Sequence, residues 1–240
     1  MKISLCIPMY NEQKTVRNTL EVLSSYMDSN FENEYEIIFI NDGSRDNCAD
    51  TVKEYIEKEN ERVRLISYEK NMGKGYAVRQ GVMASEGDIV MFTDCDLAYG
   101  TDVIKTFYDE MIQKEAQVAV GSRNLHKSGY EGYSFLRKFV SKTYIKVLCI
   151  IGGLRLSDSQ CGCKAFEGKT AKKVFSYCEV NRFAFDFEAI LVATKLKAKI
   201  IEIPVRIIQN SESSMHIVSD SIKMVNDILK MKKRIRKIGK

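Results

Sequence analysis

Thr93-Asp94-Cys95-Asp96-Leu97-Ala98 sets two carboxylates one residue apart at the end of the apolar run Asp88-Ile89-Val90-Met91-Phe92-Thr93. Side chains alternate along an extended strand, so Asp94 and Asp96 are expected on one face, with Cys95 pointing into the protein. Two hard oxygen ligands then converge on one spot. That suits Mg²⁺ or Mn²⁺ held by one or two carboxylates, with a substrate's phosphates completing the shell. A bare Asp-x-Asp also reads as a solvated acidic turn, and the rest of the chain has to decide between the two.

The run is the fourth of a series. Short β-rich segments at 3–7, 35–40, 63–68 and 88–93 alternate with amphipathic stretches starting near Gln13, Asp46 and Lys74. This spacing predicts right-handed βαβ units and a mostly parallel sheet flanked by helices. Ligands bind such sheets at the carboxyl ends of the strands, and each predicted strand ends on a polar motif. The first runs into Pro8-Met9-Tyr10-Asn11-Glu12, the second into Asn41-Asp42-Gly43-Ser44-Arg45-Asp46, and the third into Asn71-Met72-Gly73-Lys74-Gly75. Asp42 is either a turn residue or an acceptor for a nucleobase N–H or ribose hydroxyl. Gly73 and Gly75 permit close backbone approach, and Lys74 falls near a helix N-terminus, a natural anion site. The last motif matches neither the Walker loop nor G-x-G-x-x-G, which argues against the mononucleotide and dinucleotide folds.

Downstream, residues 117–121 read as a strand ending in Ser122-Arg123, where Arg123 is a surface cation or a phosphate contact. Residues 134–154 read as a basic amphipathic helix carrying Arg137, suited to a membrane interface or, with snorkelling lysines, to the core. Asp158-Ser159-Gln160-Cys161-Gly162-Cys163-Lys164 follows Gly152-Gly153 and turns back toward the site. Phe185-Asp186-Phe187-Glu188 opens an apolar helix reaching Leu196. Burying two acids without partners costs several kcal/mol, so Asp186 and Glu188 face solvent, cap the helix or line the site. Residues 199–205 form a last strand, with Pro204 marking an edge.

Composition narrows the class. A chain of 240 residues, 45% hydrophobic and 29% charged, suits one large α/β domain or two small ones. Its seven cysteines are irregularly spaced and its histidines number two, which points to reduced thiols in a cytosolic protein and away from zinc. Residues 230–240 hold seven cations and no acid, leaving 30 cations against 32 acids in residues 1–229, a net charge of −2. The near-neutral body argues against a nucleic-acid partner. Ile217, Met224, Ile228, Met231, Ile235 and Ile238 recur at helical spacing, so 211–240 is expected to be a basic amphipathic C-terminal helix beyond a catalytic domain at 1–210. Basic clusters beside apolar anchors read as anionic-lipid binding. No apolar run approaches the roughly 18 residues a spanning helix needs, so membrane contact is expected to be peripheral, at the cytoplasmic face, on lipid or on a membrane-protein partner.

Taken together, these motifs resemble family 2 glycosyltransferases of the GT-A fold. Within them the chain is similar to the dolichyl- and polyprenyl-phosphate glucosyl- and mannosyltransferases, and the Asp158–Lys164 and Arg182-x-x-x-Asp186-x-Glu188 segments look most like the glucosyl branch. The resemblance implies that Pro8, Tyr10, Asn11, Glu12, Asp42, Gly73 and Lys74 surround the nucleotide sugar. It also implies that Asp94 and Asp96 hold Mg²⁺ or Mn²⁺ on the diphosphate, with inversion at the anomeric carbon. Lys164, with Arg137 next, is the expected contact for an acceptor phosphate, and Lys74 or Arg123 the expected cation on the leaving group. The expected reaction moves glucose from UDP-glucose to a polyprenyl or dolichyl phosphate. The alternatives are transfer to a glycan or protein hydroxyl in cell-surface polysaccharide synthesis, with Asp158, Asp186 or Glu188 as base, and a catalytically silent membrane-associated binding protein.

Overall fold

The computed structural model describes residues 1–32, 34–130, 142, 145–146, 149–150, 153–182, 184–208, 231 and 233–235. The helix expected at 134–154, with Arg137, and most of 211–240 lie outside them. The chain opens with β1 (Ile3–Met9), α1 (Val16–Phe31), β2 (Tyr35–Asp42), α2 (Cys48–Lys58), β3 (Val63–Tyr68), α3 (Lys74–Ala84) and β4 (Ile89–Phe92). It continues through α4 (Asp102–Gln113), β5 (Val118–Ser122), β6 (Lys164–Glu167), α5 (Gly168–Ser176), α6 (Phe185–Lys195) and β7 (Ile200–Pro204). Every residue of β1, β2 and β4 is buried, which is why these strands read as apolar runs and not as alternating ones.

Among the described residues one sheet has the order β3-β2-β1-β4-β6-β5-β7. β1 pairs in parallel with β2 and β4, β2 with β3, and β5 with β7. β6 is antiparallel to both of its neighbours. Its reversal has a consequence for the site: the first β6 residue, Lys164, lies opposite Phe92 at the carboxyl end of β4. β7, which carries Pro204, is an edge strand as expected.

The chain walks outward from β1 to β3, then returns to the other side of β1 for β4. That reversal makes a switch point between the carboxyl ends of β1 and β4, where open α/β sheets bind ligands. The β1–β4 ladder stops at Cys6 opposite Phe92, whereas β1 stays paired with β2 as far as Met9 opposite Asn41. Pro8, with no N–H to donate, lies just past the last β4 partner.

Two apolar layers cover the sheet. Leu5 and Ile7 share one with Leu20, Leu23 and Met27 of α1 and Phe107 of α4. Cys6, Ile38 and Ile40 share the other with Val78 of α3, Val174 of α5 and Ile190 of α6. Phe92, Phe166, Phe175 and Phe185 meet in the second layer at ring-centroid distances of 5.6–6.3 Å. Met231 and Ile235, from the expected C-terminal helix, are also buried there. These two side chains face the protein and not a membrane.

Candidate active site

The site is built from four loops at the carboxyl ends of the strands. The first two are stitched together: Asn11, at φ 57°, donates its N–H to Ser44 Oγ at 3.0 Å and accepts from the Arg45 N–H at 2.9 Å. The Gln13 N–H donates to Asp46 Oδ2 at 2.9 Å. This fixes the turn that ends in Glu12 and leaves Tyr10 44% exposed beside it.

Asp42 ends β2 but is only 4% exposed. Its carboxylate accepts from the Met72 N–H at 2.8 Å, the Gly73 N–H at 2.9 Å and Asn71 Nδ2 at 3.0 Å. Asp42 therefore clamps the loop that precedes α3. Gly73, at φ 100°, precedes the first residue of that helix, Lys74. The close approach that the loop glycines permit comes from the protein itself: a Cβ on Gly75 would lie 2.5 Å from both the Val180 carbonyl and Phe185 Cβ.

Asp94 and Asp96 lie on a turn beyond β4 and not on an alternating strand. β4 ends at Phe92, and the Leu97 N–H returns to the Asp94 carbonyl at 3.1 Å, closing a turn with Leu97 at φ 51°. Cys95 is buried as expected, and its carbonyl accepts from Thr19 Oγ1 of α1 at 2.6 Å. Asp96 Oδ1 accepts from the Ala98 N–H at 3.1 Å. Lys74 pairs with Asp94 Oδ1. Burial opposes the lysine's charge, yet Asp94 beside it, with Asp186 and Asp96 farther off, raises its pKa above the ordinary value. Burial likewise pushes the Glu12 carboxyl up, reinforced by Asp96 and Asp94 against a 2.6 Å bond from Thr15 Oγ1. Asp94 and Asp96 thus lie near enough to Glu12 to act on it, and Lys74 is paired with Asp94; among the described residues no group of three acids is spaced to hold a metal ion.

Behind this acidic spot lie two buried ion pairs. Lys164, 0% exposed, donates to Asp186 Oδ1 at 2.8 Å and to the Cys161 carbonyl. Burial still raises the Asp186 carboxyl, although Lys164 and Lys74 pull the other way. Arg123 grips Asp158 through Nε at 2.7 Å and Nη2 at 3.0 Å, both side chains buried. Its guanidinium also stands over the Tyr130 ring, 5.3 Å from the centroid. The sequence reading gave Arg123 and Lys164 to ligand phosphates and Asp158 to proton transfer; tertiary structure pairs the first with Asp158 and the second with Asp186. Glu188, also 0% exposed, accepts from the Glu179 N–H at 2.9 Å and the Val180 N–H at 2.8 Å and pairs with Arg234. The two acids of α6 are therefore buried with partners and are not facing solvent.

Sequence reasoning missed Gly162 and Tyr99. A Cβ on Gly162 would stand 2.5 Å from Asp94 Oδ2, so the missing side chain makes room for that carboxylate. The Gly162 N–H donates to the Tyr99 hydroxyl at 3.2 Å. The Cys-Gly-Cys spacing that carries this glycine was visible in the sequence, but its neighbour in space was not. Burial pushes the Cys161 thiol up to about 11, which keeps it protonated and a poor metal ligand.

Solved structures share this architecture. Glucosyl-3-phosphoglycerate synthase from Mycobacterium tuberculosis, crystallised with Mn²⁺, UDP and glucosyl-3-phosphoglycerate, superposes with a TM-score of 0.69 at 17% identity, covering 96% of this chain and 79% of that one. Mannosyl-3-phosphoglycerate synthase from Rubrobacter xylanophilus gives 0.65 at 13% identity, covering 100% and 77%. At these identities the likeness speaks for the fold. In sequence, a dolichyl-phosphate beta-glucosyltransferase of Trichomonas vaginalis is 34% identical over 94% of this chain and 69% of its own length. The enzymes of that name from Dictyostelium discoideum and Saccharomyces cerevisiae are 31% and 30% identical, over 97% and 95% of this chain and 74% and 73% of their own. The profile described as glycosyl transferase family 2 matches residues 4–175, a span running from β1 through the Asp94–Asp96 turn and the Lys164 strand into α5. The chain belongs to glycosyl transferase family 2.

Proposed function

We propose that the protein transfers glucose from UDP-glucose to dolichyl phosphate or a related polyprenyl phosphate, with inversion at the anomeric carbon. The observation that carries this reading is the acid pair Asp94 and Asp96, with Lys74 on Asp94, at the β1–β4 switch point. The names of the relatives supply the choice of glucose and of a lipid phosphate.

On the donor side, Tyr10, Pro8, Asn11 and Glu12 end β1 and would flank the base and ribose. Asp42 and Gly73 would shape the opposite wall, with Asp42 acting through the loop it clamps. Asp94 and Asp96 fit a hard divalent cation: the donors are carboxylate oxygens, and both lie near enough to Glu12 to add to the rise that burial gives its pKa. Mg²⁺ or Mn²⁺ bound there would neutralise charge developing on the departing diphosphate. Lys74 would do the same from the α3 N-terminus, where the helix dipole adds to its charge.

The acceptor oxygen forms the new bond to the anomeric carbon from the face opposite the diphosphate, while the old C–O bond breaks and its electrons leave with UDP. A hydroxyl acceptor would have to lose a proton to a positioned carboxylate. The three named for that task are buried in pairs: Asp158 with Arg123, Asp186 with Lys164, Glu188 with Arg234. A phosphate monoester with a second pKa of about 6 is largely ionised at neutral pH and attacks without a base. The pairing therefore favours a lipid phosphate over a glycan or protein hydroxyl. We place Lys164 behind Asp186, not on the acceptor, and leave Arg137 as the acceptor-phosphate contact. Attachment is read as peripheral, at the cytoplasmic face, on lipid or on a membrane-protein partner. Among the described residues no helix is long and apolar enough to cross a membrane, and Lys233 is exposed.

Transfer of labelled hexose into organic-extractable lipid, from UDP-glucose and GDP-mannose in parallel, tests the reading. Label is expected in the lipid only with UDP-glucose, polyprenyl phosphate and a divalent cation together. Hydrolysis of the donor with no labelled lipid would sink the acceptor assignment. A second prediction concerns Gly162→Ala, which brings a methyl against Asp94 Oδ2. Titration of Mn²⁺ into the UDP-bound protein should show affinity about 10- to 100-fold weaker, and unchanged affinity would remove Asp94 from the metal site.

A further inference from the structure

A buried charge outside the site is tied back to it by an unbroken set of contacts. Glu188 sits in the apolar layer of α6, fully buried, and an ion there needs a partner or several kcal/mol are lost. Arg234 supplies it, pairing at once with Glu188 and Glu179 and donating to the Tyr177 carbonyl at 3.4 Å. Met231 and Ile235, a turn or less away from Arg234, are buried in the same layer and hold its helix against the body.

Glu188 in turn grips the backbone of Glu179 and Val180. The next residue, Asn181, accepts from the Tyr76 N–H at 3.2 Å through its carbonyl and from Arg79 Nη2 at 2.8 Å through Oδ1. Gly73 and Gly75 have no room for a Cβ because this same segment lies against them. There is no slack between residues 180–181 and the start of α3, where Lys74 reaches Asp94.

We propose that Arg234 is a positioning residue for nucleotide binding: by neutralising buried Glu188 it holds residues 179–181 against the Lys74 loop and so fixes the wall on which the donor's diphosphate would rest. The inference builds on the donor site of the preceding section and adds to it a structural part for the basic C-terminal segment, beyond contact with a membrane.

The full chain is titrated with UDP in the presence of Mn²⁺, and hydrogen exchange is followed at the amides of Tyr76, Glu179 and Val180. Arg234→Met should weaken UDP binding about tenfold, or about 1.4 kcal/mol, and speed exchange at all three amides, with Arg234→Lys recovering part of both. Glu188→Gln keeps an oxygen for the two N–H groups without the charge. In that background Arg234→Met should add little, the non-additivity expected of groups in direct contact. Equal losses in both backgrounds, or unchanged affinity and exchange in Arg234→Met, would overturn the proposal. Should the wild-type chain bind no UDP, the donor reading fails, and exchange at Tyr76 still decides whether Arg234 holds residues 179–181 against α3: acceleration in Arg234→Met upholds it and none removes it. If Arg234→Met does not fold, the comparison of Arg234→Lys with Glu188→Gln/Arg234→Met decides in its place.

Discussion

Asp96→Ala is expected to lower glucose transfer by about 10²- to 10³-fold, the scale set by losing one preorganised stabiliser of transition-state charge. The fold should survive. Asp96 is half-buried, lies in the turn after β4 and not in the ladder, and leaves Thr19 bound to the Cys95 carbonyl when its own side chain is cut back. The loss should appear mainly in turnover, with UDP binding in the presence of Mn²⁺ weakened in parallel, because both would lose the second carboxylate proposed to hold the cation. An unfolding midpoint close to wild type is the control. More than a tenth of the activity remaining in well-folded Asp96→Ala would mean that the pair Asp94 and Asp96 is the acidic turn it also resembles.

Lys164→Met should fail in a different way. The ammonium has no exposure and is held by Asp186 and the Cys161 carbonyl, 5.9 Å from the Phe92 ring centroid. Removing it leaves Asp186 buried without its nearest cation, a change that costs about 3–5 kcal/mol. Denaturant unfolding measures the cost. Lys164→Met combined with Asp186→Asn should recover much of it, since the stranded charge is then gone. A lysine serving the acceptor phosphate would give the opposite pattern: stability near wild type and a raised KM for the lipid.

The half of the site contributed by β1 to β4 was legible in the sequence for a physical reason. Of those strands β1, β2 and β4 are buried along their whole length and parallel, so each appears as an apolar run whose end is marked by the polar motif it delivers. Lys74 starts α3 as expected, and β3 spans the residues read for it. The half contributed by 158–208 was less legible. β6 has four residues and no alternation to mark it, and its reversed direction depends on a long connection that local sequence does not describe. α4 was overlooked although Val103, Ile104, Phe107 and Met111 form a buried stripe at helical spacing.

The sequence by itself determined the parallel βαβ order and the placing of polar motifs at strand ends, because these follow from hydrophobic periodicity and the handedness of the crossover; the turn that carries Asp94 and Asp96 and the pairing of Lys74 with Asp94 came from tertiary structure. Tertiary structure decided which charges are spent inside. Arg123, Asp158, Lys164, Asp186, Glu188 and Arg234 look alike in a sequence as exposed cations and candidate bases. They become pairs only when residues 22 to 46 positions apart are brought together, and partners so distant leave no local pattern. The same holds for Gly162, whose missing side chain has meaning only against the carboxylate of Asp94.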